Sequence, residues 1–411
     1  MTDASLTADV VIAGGGLVGA SLALALGNSG LHVRIVDPAS PTAAQQPGYD
    51  DRSTALAPAS RRILESLGVW SAIAPEAAPI RTIHVSEQGG FGITRLHAAR
   101  EGLDALGWVV PNRVLGSALQ ARLTPLAPAV ATVTAGVSGV TTDLEGARVA
   151  LDDGRTVSTR LVVAADGTHS VLREQLGLSQ RVDDYHQQAL VANVTPARNP
   201  AGLAFERFTP DGPLALLPLT GGRCALVWTV PGERAETLAA LPEAAFLDAL
   251  QTAFGYRLGR FLAVGRRSVY PLGLRRSEQR VTERGVVIGN AARTLHPVAG
   301  QGLNLALRDV AELAERLHAA GQRGGDPGAA ELLAGYSDAR ASDHRRVTVF
   351  TDGLVRLFSN RLPGLRLARN LGLVGMELLP AAREQLMHRA MGRFGRLPRL
   401  ARGLPLEAPH G

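Results

Sequence analysis

Three glycine-bearing stretches hold the residue types and spacings that could do chemistry. The first, Gly14-Gly15-Gly16-Leu17-Val18-Gly19, follows the β-branched run Asp9-Val10-Val11-Ile12-Ala13 and precedes Leu22, Ala23 and Leu26 at helical spacing. Gly14 permits a tight turn, Gly16 lets the backbone approach a pyrophosphate, and Gly19 lets helix and strand pack closely. A second strand, His32-Val33-Arg34-Ile35-Val36, ends at Asp37, about twenty residues beyond the glycines, where a carboxylate can accept from an adenosine ribose. An acid there, in place of an arginine, points to an unphosphorylated ribose and hence to FAD or NAD. The second stretch is the apolar strand Leu161-Val162-Val163-Ala164-Ala165 running into Asp166-Gly167. Ligands bind beyond the carboxyl ends of strands in an open parallel sheet, so Asp166 and Gly167 could converge on the first glycine loop; the alternative is a plain Asp-Gly turn capped by Ser170. The third runs from Gly289 to Asp309, where the apolar Gly285–Ile288 run stops and a helix restarts at Leu303. Gly300 and Gly302 flank Gln301 ahead of Leu303, Leu305, Leu307 and Val310, which would present unpaired N–H groups of the helix start to an electron-rich ligand; the alternative is an ordinary loop-to-helix connection. Arg52 and Arg113 are further candidate ligand contacts, a surface salt bridge being the alternative for Arg52.

These loops need elements to hold them. With 411 residues and 45% hydrophobic content the chain is long enough for two cores and an appendage. All 43 basic residues are arginine, which removes Schiff-base chemistry, amine nucleophiles and the phosphate-loop lysine. Cys224 is the only cysteine, so disulfides, a cysteine-rich zinc site and a dithiol redox pair are excluded, in keeping with a reducing cytoplasm. The net charge of +6 belongs to the tail: residues 340–411 carry thirteen arginines against five acids, interleaved with Leu, Val, Met and Phe, which suits an anionic membrane surface better than nucleic acid, a solvated helical face being the alternative. The uncharged Val10–Gly27 stretch lacks a positive leader and is broken by glycines, so it is read as neither signal peptide nor span. Helices are expected over Ser60–Leu67, Val109–Leu123 and Leu238–Phe254, a hairpin turn at Asp152-Asp153-Gly154-Arg155, and a strand over Ser268–Leu274. Short alternating segments, Gln188–Val194, Leu203–Phe208, Pro213–Pro218 and Arg223–Val230, predict an inserted antiparallel sheet that could roof a substrate pocket.

The order of the three motifs resembles the flavoprotein aromatic hydroxylases of the p-hydroxybenzoate hydroxylase type. Within them Asp50-Asp51-Arg52 before Ala55-Leu56, the Gly212–Leu219 phrase, Thr294–Gly302 and the Thr351–Leu378 tail are most similar to the ubiquinone-biosynthetic hydroxylases, in particular the 2-octaprenyl-6-methoxyphenol hydroxylases. The resemblance implies an α/β fold: a Rossmann-like FAD-binding domain from 1–80, 105–180 and 265–340, an antiparallel-sheet substrate domain from 81–104 and 181–264, and a C-terminal helical region over 341–411. It implies FAD, with NADPH or NADH as transient donor, and hydroxylation of a polyprenyl phenol by O2 through a flavin C4a-hydroperoxide. It also implies a peripheral place on the inner membrane face, and membership of a quinone-synthesis complex is open. On this reading Asn290 meets the ribityl chain, Pro297 to Gly300 lie beside the ring, and Gly302, Leu303 and Asn304 form the helix mouth. His296 could relay a proton or make only a structural hydrogen bond. The chain departs from the wider pattern at Gly289-Asn290, where Gly-Asp is usual; asparagine still accepts a hydrogen bond but brings no charge. No dedicated base for the phenol is evident. A prenyl-lipid reductase and a non-catalytic FAD-binding subunit remain as rival readings.

Overall fold

In the computed structural model the described residues are 6–39, 52–295, 300–358, 363–378 and 396–406. The first sheet has its strands in the order Val281–Thr282, Gly285–Val287, Thr156–Ala164, Leu6–Ala13, Val33–Asp37, Val130–Thr134. Four parallel pairings hold it together, with Ala13 level with both Ala164 and Val36, and Ala164 level with Val287. The runs Val10-Val11-Ile12 and Leu161-Val162-Val163-Ala164 are fully buried because helices cover one face and the Ala147–Leu151 hairpin the other. That hairpin turns at the expected Asp-Gly pair, with Leu151 N–H donating to Arg155 O at 2.9 Å.

The second sheet is nine-stranded and antiparallel except where Leu203–Thr209 runs parallel to Thr82–Glu87. Phe246, Phe254 and Trp228 pack its outer face into a separate core under the helices Gly232–Ala240 and Glu243–Phe254. One continuous helix over Leu238–Phe254 does not form: Pro242 lacks the N–H and holds an extended ψ of 152°, so the chain breaks there and restarts. Likewise Val109 and Val110 lie in a strand, Gly107–Pro111, and the helix begins at Asn112, with Pro111 as its extended N-cap. The strand Ser268–Ser277 belongs to the second sheet, and helix Ala330–Phe358 runs unbroken through residue 340.

The tail folds back onto the body. Helix Pro363–Leu378 docks on the edge strand Ile93–His97: Gly92 N–H donates to Asn370 Oδ1 at 2.7 Å, Thr94 Oγ1 to Leu373 O at 2.5 Å, and Arg95 N–H to Glu377 Oε2 at 2.7 Å. Arg369 turns inward to Glu87 at 2.5 Å. Further on, Leu400 and Ala401 enter the main core beside helix Pro58–Ser66.

Candidate functional site

The carboxyl ends of the first sheet's strands bring the three motifs together. Gly14 N–H donates to Val36 O at 2.8 Å, Ala165 N–H to Ala13 O at 2.8 Å and Ile288 N–H to Ala164 O at 3.0 Å, so the three loops leave one sheet edge side by side. Gly14, at φ +100°, lies so close to the Ala165–Asp166 backbone that a Cβ would stand 2.5 Å from Ala165 O. A Cβ at Gly289 would stand 3.2 Å from the Val18 side chain, and Thr294 Oγ1 donates to Thr168 Oγ1 at 3.2 Å, tying the third loop to the first and second. Asp37 ends its strand, buried, accepting from Gly15 N–H at 2.5 Å and from Ala39 N–H at 2.8 Å.

Two helices start at this edge with bare N-termini. Leu17–Ala25, with Gly16 as N-cap, and Gln301–Gln322, with Gly300 as N-cap, have no side-chain cap and no acid in the first turn. The N–H groups of their first turns and their dipoles face the loops. Gly16 and Gly302 are more telling still. Among the described residues a Cβ at either position would meet no atom within 4 Å, and neither has a positive φ, so no described contact calls for glycine there. A ligand lying against the backbone supplies the reason, and a pyrophosphate at the first helix and an electron-rich ring at the second fit the free donors. The residues present therefore fit FAD.

The other candidates divide. Gly19 packs against Gly14 O and Ile12, as the helix–strand approach requires. Asp166 is exposed at the edge and also accepts from Leu172 N–H at 3.2 Å, while Ser170 caps the short helix after it; Gly167 sits at φ +91° with open space around it. Asn290 is exposed beside the loops. Leu303 is half-buried in the first turn of its helix. Asn304 is buried, and its amide is spent within the protein: Oδ1 accepts from Ala57 N–H (2.7 Å) and Ser60 Oγ (2.6 Å), and Nδ2 donates to Ala55 O (2.8 Å) and Gly300 O (2.7 Å). It pins the third loop to strand Ser53–Leu56. Arg52 stacks over Tyr270 of the second sheet, 4.9 Å from the ring centroid. Arg113 is exposed and pairs with Glu76 at 2.7 Å. His296 and Pro297 lie outside the described residues. A cavity of about 470 Å³ bordered by Ser86, Arg207 and Phe254 lies at the second sheet, away from these loops.

Sequence reasoning missed what anchors the third loop from below. Arg308 and Asp309, both 2% exposed, reach across to helix Ala330–Phe358, where Arg308 meets Asp343 at 2.8 Å and Asp309 takes Arg340 at 2.6 Å and His344 at 2.8 Å. Arg293, just before the loop, donates to His344 O at 3.0 Å and to Thr348 Oγ1. The signal was an adjacent Arg-Asp pair set between the apolar Leu305-Ala306-Leu307 and Val310-Ala311 of that helix.

The two sheets, the helices at the first sheet's edge and the bare glycine loops define an α/β flavoprotein of the monooxygenase fold. The p-nitrophenol 4-monooxygenase PnpA of Pseudomonas putida superposes with a TM-score of 0.78 over 95% of this chain and 100% of that one, at 20% identity. Residues 7–351 match the FAD binding domain family, and the chain belongs to that family of FAD-dependent monooxygenases. It is 42% identical over 406 residues to the ubiquinone hydroxylase UbiL of Rhodospirillum rubrum, covering 98% of this chain and 94% of that protein. It is 33% identical over 390 residues to the 3-demethoxyubiquinol 3-hydroxylase of Escherichia coli, covering 93% and 98%.

Proposed function

We propose that this chain hydroxylates the aromatic ring of a polyprenyl phenol in ubiquinone biosynthesis, consuming O2 and NADPH or NADH. The convergence of three loops and two uncapped helix starts at one sheet edge, beside the apolar inner face of the second sheet, carries this reading. The names of the two relatives support the pathway; the ring carbon is left to product analysis. Bound FAD would supply the redox chemistry, passing reducing equivalents from the nicotinamide to O2. Around it, Gly14, Gly16 and Gly19 admit the diphosphate to the helix start, Asp37 lies at the ribose end, and Asp166, Gly167 and Asn290 line the neighbouring loops. The N–H groups of Gly302 and Leu303 would stabilise negative charge on the reduced ring, and Asn304 holds Gly300 in place. Arg52 and Tyr270 close the side towards the second sheet and limit water entry.

Purified holoprotein given NADPH, labelled O2 and a short-chain prenylphenol is expected to oxidise NADPH faster with the phenol and to place one labelled oxygen on the ring. NADPH oxidation with a reduced prenyl product and no ring label would favour a prenyl-lipid reductase. Bound FAD with no turnover of any prenylphenol would favour a non-catalytic subunit of a quinone-synthesis complex.

We also place a membrane contact at the tail. No helix among the described residues is long and apolar enough to cross a membrane. Helix Pro363–Leu378 leaves Leu371 56% exposed, next to the Asn370 contact with Gly92, and Phe91, 63% exposed, stands on the other side of that contact. Burial of each such side chain in a bilayer is worth about 1.5–3 kcal/mol. Replacing both with aspartate is therefore expected to lower binding to anionic vesicles by more than about tenfold in a flotation assay. Unchanged flotation would remove this surface as the contact.

A further inference from the structure

The inner face of the second sheet continues to the third loop. Along Leu203–Thr209 the side chains alternate: Phe205 belongs to the core under Glu243–Phe254, whereas Ala204 belongs to the cluster of Ile80, Leu96, Val109 and Ala225. At the rim of that second cluster stand Ala55, Ile83 and Leu217. Ala55 is the residue whose carbonyl takes Asn304 Nδ2 and against whose Cβ Gly300 is packed. Glu206 lies on this face, one alternation beyond Ala204 and level with Ala215 and Val85. It makes no hydrogen bond or ion pair among the described residues. The other carboxyl on this face, Glu87, is bound by Arg369 and Asn370. Glu206 is half-buried there, and a carboxyl between Ala215 and Val85 with no partner among the described residues gives up hydration without gaining a contact.

Resting on the hydroxylase reading, we propose that Glu206 is the base for the substrate phenol. The phenol O–H bond breaks, the proton forms an O–H bond to a Glu206 carboxylate oxygen, and the electron pair stays on the phenol oxygen, enriching the ring carbons that take up oxygen. The carboxyl returns the proton to a product oxygen once the ring has lost its displaced hydrogen as a proton, so the residue ends as it began. Burial alone pushes the Glu206 carboxyl up to about 7, the range in which a base is most effective near neutral pH. Among the described side chains, the acids on the packed elements are engaged elsewhere: Glu87 with Arg369, and Asp352 of Ala330–Phe358 with Tyr185. Arg207 faces the opposite side of the sheet, and Gly212–Pro218 carries no titratable residue.

The test uses the FAD-loaded full chain and two readouts. In the first, Glu206→Gln is expected to lower the rate of labelled-oxygen incorporation by roughly 10²–10⁴-fold, to abolish the limb of the kcat/KM profile near neutral pH, and to leave FAD content unchanged, with Glu206→Asp intermediate. The second is equilibrium binding of a short-chain prenylphenol against its methyl ether with oxidised protein. Wild type should favour the phenol on the order of tenfold above neutral pH, and Glu206→Leu should lose that preference. Glu206→Gln and Glu206→Leu remove a half-buried carboxylate that has no partner among the described residues, so neither should lower the melting temperature. Undiminished oxygenation and an unchanged phenol preference in the variants would overturn the assignment while leaving the hydroxylase reading standing. Loss of the preference in Glu206→Leu with no ring oxygenation by wild type would do the reverse.

Discussion

Replacing Gly16 with alanine is expected to weaken FAD binding roughly 10- to 100-fold while the apoprotein melts at the wild-type temperature. The added methyl finds no atom of the described residues within 4 Å and a backbone angle, φ −66°, that alanine adopts freely, so the fold has no reason to object. The ligand does, because the methyl occupies the approach of the pyrophosphate to the helix start, and overpacking of that size costs about 1–3 kcal/mol. The neighbouring glycines behave differently. Gly14→Ala drives a Cβ to 2.5 Å from Ala165 O at a positive φ, and Gly19→Ala drives one into Gly14 O, so both should lower the melting temperature of the apoprotein itself. Flavin fluorescence titration and calorimetry of the three variants separate the two kinds of glycine. Wild-type affinity in Gly16→Ala would remove the pyrophosphate from that loop.

The three loops were legible because each follows a fully apolar strand, and parallel strands put their carboxyl ends at one edge whatever the order of pairing. Other features need tertiary context. Val109-Val110 before Pro111 reads equally as the start of a helix or the end of a strand, and pairing with Ser53–Leu56 on one side and Ala78–Ile80 on the other decides it. Pro242 carried the signal for two helices, but the apolar spacing on both sides of it suggests one. Among the arginines of the basic tail, Arg369 is buried against Glu87, 282 residues earlier, a partner that no local pattern reveals. Glu206 was overlooked for a similar reason: a single acid among alternating apolar residues has the pattern of a solvent-facing position, and it is the docking of this sheet face against the rest of the protein that leaves it half-buried.

Removing the Asp309 carboxylate is expected to cost about 3–5 kcal/mol of folding stability, a large part of the roughly 5–15 kcal/mol available to a protein domain. Two acids and two arginines balance in this network, with Arg340 shared between Asp309 at 2.6 Å and Asp343 at 2.6 Å. Asp309→Ala leaves Arg308 and Arg340 buried with one carboxylate between them and takes the acceptor from His344. Burial by itself would raise the Asp309 carboxyl, but His344 and Arg340 hold it far below the usual carboxylate range, so it stays ionised in the folded protein. In the unfolded chain it takes up a proton near 3.9. Its contribution is therefore complete above about pH 4 and drains away below. His344 adds a second, higher window. Burial depresses its pKa, so the folded ring stays neutral while the unfolded one protonates below about 6.5, and stability falls by up to about 1.4 kcal/mol per pH unit from there downward. Urea unfolding at pH 7.5 should show the Asp309→Ala loss in full, and His344→Gln should flatten the wild-type decline between pH 6.5 and 4. Because Asp309 and Gly302 share one helix, Asp309→Ala should also weaken FAD binding, in contrast to a distant surface variant of equal instability. A urea midpoint unchanged in Asp309→Ala would mean that this buried network does not hold the helix in place.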